Sequence, residues 1–390
     1  MIARIATYLP LWSGRPGRQM GPDEDAVTMA VEAGRAALEN LAPDEVRLVE
    51  LVTRDFPLME GGNAAALLAG LGLPRTTHVV ERMGAAPAML DALAAAADGT
   101  LTIGADASEP AGAAAAWSGP GGTFTSLTRV HRSLPLRARG QDGVVHKDED
   151  PRLQRERGVR ASFEASELTG KPVSVAGLST RDAASWCEGV APELATLGAS
   201  APLFALAALA EQRSGGIVAA VDQATVSTGT WEPGRVAVLR LERPARHLPA
   251  RRSTPGPEIK LSFSAYDRAF DAKLRWEAGS CPACGMLAFP SRYRCLGCGA
   301  EGDSTLVSLP RTGTVYTATT IHVPVPGLAS PYTLAVVQLD GVDVRALVPV
   351  TDTVAATADI GEPGRLVFRR MATRSGISDY GYAFAPHGGA

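Results

Sequence analysis

Four of the five cysteines fall in one short stretch, Cys281-Pro-Ala-Cys284 and Cys295-Leu-Gly-Cys298, with ten residues between the pairs. No other feature constrains the fold of this 390-residue chain as strongly. Each C-x-x-C pair can turn back on itself so that both sulfurs point at one ion, and each is followed by a glycine, Gly285 and Gly299, that tolerates a tight turn. Four thiolates complete a tetrahedral shell with no open position, so the spacing predicts a structural metal site rather than a catalytic one. Zinc is the default occupant, iron the other metal a sulfur-only shell takes, and two disulfides or free thiols are the alternatives. The metal is expected to fold a small lobe that lacks a core of its own.

The compartment bears on that choice. The longest apolar runs, such as Ala201–Ala210, are about half of what a bilayer-spanning helix needs. Met1 to Leu11 has one basic residue and an early Pro10, and reads as an edge strand rather than a signal peptide. A cytoplasmic protein is expected, where thiols stay reduced and a dense cysteine cluster points to metal.

Residues 242–258 hold four prolines, four arginines and a single leucine, too little to bury an apolar face, and mark a linker. Upstream, apolar periodicity alternates between strand and helix: strands at 2–9, 46–52, 77–80 and 100–105, helices at 25–38, 63–71 and 87–97. The first helix opens on Asp23-Glu24-Asp25. A second stretch follows a charged loop at 139–160, with helices at 183–193 and 201–213 and strands at 216–221 and 235–241. Alternation at this spacing predicts a layered α/β domain with a largely parallel sheet. Beyond the linker a helix at 265–277, the cysteine cluster and short strands at 313–323, 332–339, 344–349 and 365–370 have the texture of a small barrel. The expected division is 1–241 for the α/β domain, 242–259 for the linker, 260–308 for helix and ribbon, and 309–390 for the barrel and tail.

A ribbon next to a barrel could bind nucleic acid, but residues 255–390 carry twelve Lys and Arg against twelve Asp and Glu. Zero net charge gives no field to track phosphates. The whole chain, at 20% charged residues and net charge −3, is that of an ordinary globular protein.

The C-terminal residues, from the helix through CPACGMLAFPSRYRCLGCG, RTGTVYTATTIHVPVPG, Pro331-Tyr332 and DYGYAFAP, resemble the zinc-ribbon/OB-fold proteins that accompany thiolases and HMG-CoA synthases. The resemblance runs from Ala265 to Pro386 and implies a rubredoxin-like zinc ribbon followed by an all-β OB-fold barrel. In that family ribbon and barrel bridge condensing-enzyme subunits, with the barrel near the CoA entrance. Upstream, Tyr8-Leu-Pro10, Asp23 to Ala30, Gly104-Ala-Asp106, Ala111 to Trp117 and Leu197 to Leu203 look like landmarks of the HMG-CoA synthase and ketoacyl synthase III branch of the thiolase superfamily. This second resemblance implies a thiolase-like layered α/β domain, shortened mostly in its second half.

Acyl transfer of the thiolase type needs an activated cysteine and a histidine to handle protons. The position matching the nucleophile is Met83, and no cysteine or serine occurs from Thr76 to Thr102. No histidine lies between His146 and His247, and the family's acidic residue falls near Arg54, with Asp55 and Glu60 as imperfect stand-ins. The glycine-rich strand end is replaced by Val221-Asp-Gln-Ala224. Catalytic residues of the usual kind are therefore absent. His78, Asp55 and His322 are weak candidates for displaced chemistry, His322 equally for an interface; Cys187 reads as a core residue, and Asp142, Asp148 and Asp150 as a solvated loop.

Two functions fit. The first is an accessory, scaffolding subunit that docks catalytically intact thiolase- or ketosynthase-like subunits in an acyl-CoA-dependent condensing or C-acyltransferase complex, with acyl-CoA or a carrier-bound acyl group nearby. The alternative is a stand-alone acyl-CoA-processing enzyme, retro-aldol or acyl transfer, that uses non-standard residues. Neither involves nucleic acid or a membrane.

Overall fold

The chain is described by a computed structural model that covers all residues except 109, 141, 142, 149, 258, 259, 324–327, 355, 356 and 388–390; Asp142 therefore lies outside the described residues. A nine-stranded sheet organises the first lobe. Its strands are β1 (Ile2–Tyr8), β2 (Leu48–Thr53), β3 (His78–Met83), β4 (Thr100–Asp106), β5 (Gly112–His131), β6 (Ser174–Ala176), β7 (Gly216–Asp222), β8 (Thr225–Glu232) and β9 (Ala237–Leu241). They lie in the order β6-β7-β8-β5-β4-β2-β3, with β1 on β5 and β9 on β1. Four helices cover the two faces: α1 (Ala26–Ala37), α2 (Ala64–Leu71), α3 (Ala86–Ala95) and α4 (Ala201–Gln212).

Alternate residues of the central strands serve different cores. Ala6, Ala113 and Ala115 pack with α1 and α2, whereas Ile5, Ala114 and Ala116 pack with α3 and α4. A strand buried on both faces carries apolar side chains at every position, which is why Ala111 to Trp117 reads as a continuous run. The expected largely parallel sheet is in fact mixed, with four parallel and four antiparallel pairings among the described residues. The long strand β5 makes three of the antiparallel pairings, and the β7–β8 hairpin makes the fourth. Strand β5 runs antiparallel to β1 and β4 through Trp117 and then antiparallel to β8 from Thr123. Between the two stretches a Cβ on Gly122 would stand 2.2 Å from the Trp231 ring, so only glycine lets the strand bend over that indole.

The helix expected at 183–193 does not form. Helix is confined to Thr180–Ala183, because Gly189 takes φ 72° and Pro192 cannot continue a helix. Conversely, the stretch expected to loop from 139 to 160 is helical from Pro151, through a π-helical run at Gln154–Arg160 into Ala161–Ala165. Asp148 and Asp150 build its start: Asp148 accepts from the Asp150 N–H at 3.0 Å, and Asp150 accepts from Arg152 and Leu153.

The second lobe begins with α5 (Phe263–Leu274), followed by a ribbon of β10 (Glu277–Ser280), β11 (Leu287–Ala288) and β12 (Thr305–Ser308). A five-stranded antiparallel sheet completes it, in the order β15-β14-β13-β16-β17, from β13 (Thr312–Ile321), β14 (Tyr332–Leu339), β15 (Arg345–Pro349), β16 (Pro363–Arg374) and β17 (Ile377–Pro386). No helix among the described residues is long and apolar enough to cross a membrane.

The two lobes share one core. Leu366, Phe368, Tyr382 and Phe384 of the barrel pack in the same cluster as Val27 and Val31 of α1 and Leu67 and Leu68 of α2. Charge is buried with them. Asp25 caps α1 as its position suggests, accepting from the Thr28 N–H at 2.9 Å, but it also accepts from the Tyr380 hydroxyl at 2.9 Å. Arg369, fully buried, lies 3.2 Å from Asp352, 3.5 Å from Glu24 and 3.8 Å from Asp23, while Arg365 pairs with Glu32 at 2.6 Å. Tyr8 donates to Glu24. Burial pushes the Glu24 carboxyl up to about 7 against the pull of Arg369, and it raises Asp23 as well. Burial acts on Glu32 in the same sense, but the Arg365 guanidinium overcomes it and holds that group at about 2. The acidic run that reads as a helix start is thus also the seat of the barrel.

Candidate functional site

The two cysteine knuckles repeat one local structure. In each, the glycine that follows the second cysteine adopts φ near 72–75° and donates its N–H to the carbonyl of the first cysteine, Gly285 to Cys281 at 2.8 Å and Gly299 to Cys295 at 3.1 Å. The first cysteine donates five residues onward, Cys281 to Met286 at 3.0 Å and Cys295 to Ala300 at 2.9 Å. These turns bring all four sulfurs within 4.8 Å of one another, with Cys281 and Cys298 at 3.7 Å and Cys284 and Cys295 at 3.6 Å. A tetrahedron of Zn–S bonds of about 2.3 Å has edges of about 3.8 Å, so the donor set fits a four-coordinate ion such as zinc. N–H groups of Cys298 and Gly297 hold the Cys295 thiol down at about 6. At Cys284 the Met286 N–H acts in the same direction, but bonds to neighbouring sulfurs prevail and hold it up at about 12.

The second candidate region is the crevice outside the carboxyl ends of the parallel strands, where α/β sheets place their ligands. Three strand ends, those of β2, β4 and β7, meet this crevice through polar residues. Arg54, just after β2, forms an ion pair with Asp222 at the end of β7. Asp55 accepts from the Ala107 N–H at 3.0 Å and faces Arg137 at 3.7 Å. Asp106, at the end of β4, is buried and accepts from Ala199 N–H at 2.6 Å, Ser200 N–H at 2.9 Å and the Ser200 hydroxyl at 2.6 Å, bracing the start of α4. Burial raises the Asp106 carboxyl, and burial with Arg137 close by lowers the Arg54 guanidinium. Each charged group here is committed to another part of the protein.

Met83 ends β3, three residues before α3 begins, and is 55% exposed. A thioether there cannot act as a thiolate nucleophile. His78 begins the same strand, so at about 3.3 Å per residue it lies about 17 Å from Met83. Asp55 follows the opposite end of the neighbouring strand, where Leu48 is the residue in register with His78. His322 is exposed just beyond the barrel strand β13, and Glu60 is exposed on the loop after β2. The structure does not gather His78, Asp55 and His322 into one site. Cys187 is buried among Val159, Phe163 and Leu178, and burial raises its thiol.

Sequence reasoning missed two features. Arg54 and Asp222 each stand out as departures, but 168 residues of separation hide the fact that they meet. The other is the free edge of β3, which pairs only with β2 among the described residues and leaves Val80 40% and Met83 55% exposed. An edge of six residues without proline, lysine or bulge is open to pairing.

Comparison with known proteins places these features. Residues 306–369 match the family described as ChsH2, C-terminal OB-fold domain. A DUF35 domain-containing scaffold protein of Methanocaldococcus jannaschii is 31% identical over 110 residues, which are 27% of this chain and 77% of that one. The chain belongs to the DUF35 domain-containing family, as the resemblance of its ribbon and barrel implies. Among solved structures, OleA of Xanthomonas campestris is 14% identical, with 59% of this chain and 96% of that chain covered at a TM-score of 0.48. A structure described as the Ltp2-ChsH2(DUF35) aldolase is 25% identical, covering 33% of this chain and 98% of that chain at a TM-score of 0.26. The first lobe is a layered α/β domain built on a mixed sheet, and the second combines a four-cysteine ribbon with an OB-fold barrel.

Proposed function

We propose that the chain is a scaffolding subunit of an acyl-CoA-dependent thiolase- or ketosynthase-type condensing or C-acyltransferase complex. It docks partners that carry the nucleophile and base, and its barrel helps to shape the acyl-CoA or acyl-carrier channel. The observation that carries this reading is the crevice itself, where Arg54 and Asp222 neutralise each other across the strand ends; the resemblance matches the nucleophile position to Met83, a thioether. The name of the Methanocaldococcus relative as a scaffold protein supports it. The bare edge of β3 offers a partner a strand to pair with.

In this reading Cys281, Cys284, Cys295 and Cys298 hold a structural zinc that fixes the ribbon between α5 and the barrel. The functional division follows 1–241, 242–259, 260–308 and 309–390, with the two lobes locked together by the Arg369 cluster. The test is kinetic. The purified chain alone should leave a panel of acyl-CoA thioesters unchanged, and adding it to a thiolase- or ketosynthase-type condensing enzyme of the same organism should raise that enzyme's turnover. Turnover by the isolated chain that His78→Ala abolishes would contradict the proposal.

A further inference from the structure

A cavity of about 310 Å³ opens on the far side of the sheet from α3 and α4, over the small core that holds Cys187. Its walls come from two segments. One is the π-helical run Gln154–Arg160, which supplies Arg155 and Arg160; the other follows β6 and supplies Arg181, Asp182 and Trp186. An i→i+5 winding brings residues five apart onto one face, which explains how Arg155 and Arg160 reach the same cavity; short π-helical stretches recur at functional sites for such reasons. Three guanidinia therefore face a cavity with one carboxylate in its lining. Arg160 pairs with Glu156 at 3.0 Å, but the side chains of Arg155 and Arg181 make no hydrogen bond or ion pair among the described residues. Asp182 is engaged by the Ser179 hydroxyl at 2.7 Å. Trp186 stacks on Phe163, ring centroids 4.4 Å apart and planes 12° apart, which holds the indole in place where it borders the cavity.

We propose that this cavity binds a phosphorylated ligand that carries a planar ring, of the nucleotide class. Arginines present paired N–H donors that match phosphate oxygens, and a fixed indole offers a surface on which a base can stack. The volume is at the lower end of the range for small-molecule sites, enough for a base and ribose with the phosphates at the arginine rim. No residue of the Arg54–Asp222 crevice or of the cysteine cluster lines the cavity, so the site stands or falls apart from the scaffolding role.

Adenosine diphosphate, coenzyme A, inorganic pyrophosphate and adenosine would be titrated into the full-length chain by calorimetry, with indole fluorescence as a second readout. The expected result is saturable binding of ADP that is stronger than that of pyrophosphate or adenosine alone and weakens with added salt. Replacing both exposed arginines, Arg155→Ala with Arg181→Ala, should weaken it by about tenfold or more while leaving the thermal transition in place. Equal affinity for ADP and coenzyme A assigns the site to the nucleotide they share, and tighter coenzyme A binding extends it to the pantetheine arm. Failure of both to bind at millimolar concentration, or affinity unchanged in the double variant, overturns the proposal.

Discussion

Glu24→Gln gives the sharpest reading of the buried junction between the lobes. Glu24 lies among the Tyr8 hydroxyl, the Gly21 N–H at 2.7 Å and the Arg369 guanidinium at 3.5 Å, and burial raises its carboxyl from 4.5 to about 7. Between those two values the folded protein holds a proton that the unfolded chain has released. Stability must therefore fall as pH rises across this window and level off above it. At about 1.4 kcal/mol for each pH unit of that window, the loss is about 3 kcal/mol. Glu32 acts with the opposite sign and in a lower window, because its carboxyl is held at about 2, so its contribution is complete by pH 4.5 and leaves this interval untouched. Glutamine keeps an acceptor for Tyr8 and has no proton to lose. Urea unfolding of both proteins at half-unit steps from pH 4.5 to 8 should show a downward slope in the wild type that is shallower in the variant by about 3 kcal/mol over the window. Asp23, Asp25 and Asp106, which burial also raises, slope in both proteins and cancel in the difference. Parallel slopes, or a variant that loses more stability with pH than the wild type, would refute the reasoning.

Arg369→Met should cost about 3–5 kcal/mol in the same assay, because it strands Asp352 and Glu24 away from water without their cation. Cys281→Ser should reduce bound zinc well below one equivalent by elemental analysis and release the ribbon to proteolysis, while an unchanged metal content would refute the four-sulfur site. Gly122→Ala should destabilise the first lobe by about 1–3 kcal/mol in chemical unfolding, since the new methyl group enters the Trp231 ring; a neutral effect would mean that the strand has room to move. Met83→Cys should gain no acyl-enzyme adduct detectable by mass spectrometry on incubation with acyl-CoA, because the strand's own histidine, His78, lies at its other end, about 17 Å away.

Elements with one dominant local signal were legible in the sequence. The knuckles announce themselves because Cys, Cys and Gly must sit at fixed offsets for sulfur geometry, α1 because its apolar content and its Asp25 cap are local, and α4 because its apolar content is. The strands β8 and β17 were not, since Thr225–Glu232 is mostly threonine, serine and glycine and gains its strand from two neighbours, while Ile377–Pro386 alternates around tyrosines whose partners lie in the first lobe. The Asp23-Glu24-Asp25 run shows the limit clearly. Local rules account for Asp25 as a cap, but the roles of Asp23 and Glu24 depend on an arginine more than 300 residues away. The crevice was half legible: the lack of cysteine and serine from Thr76 to Thr102 can be read directly, whereas the Arg54–Asp222 pair exists only once β2 and β7 are in place in the folded sheet.

The central claim is that this chain works by holding a catalytic partner. Native mass spectrometry of the chain co-expressed with the thiolase- or ketosynthase-type condensing enzymes of the same organism tests this most directly, with Val80→Lys on the free edge of β3 as the comparison. The account predicts a defined hetero-complex for the wild type and separated subunits for the variant. A chain that stays free of its partner, or a complex that Val80→Lys leaves intact, would contradict respectively the scaffolding role and the edge assigned to it.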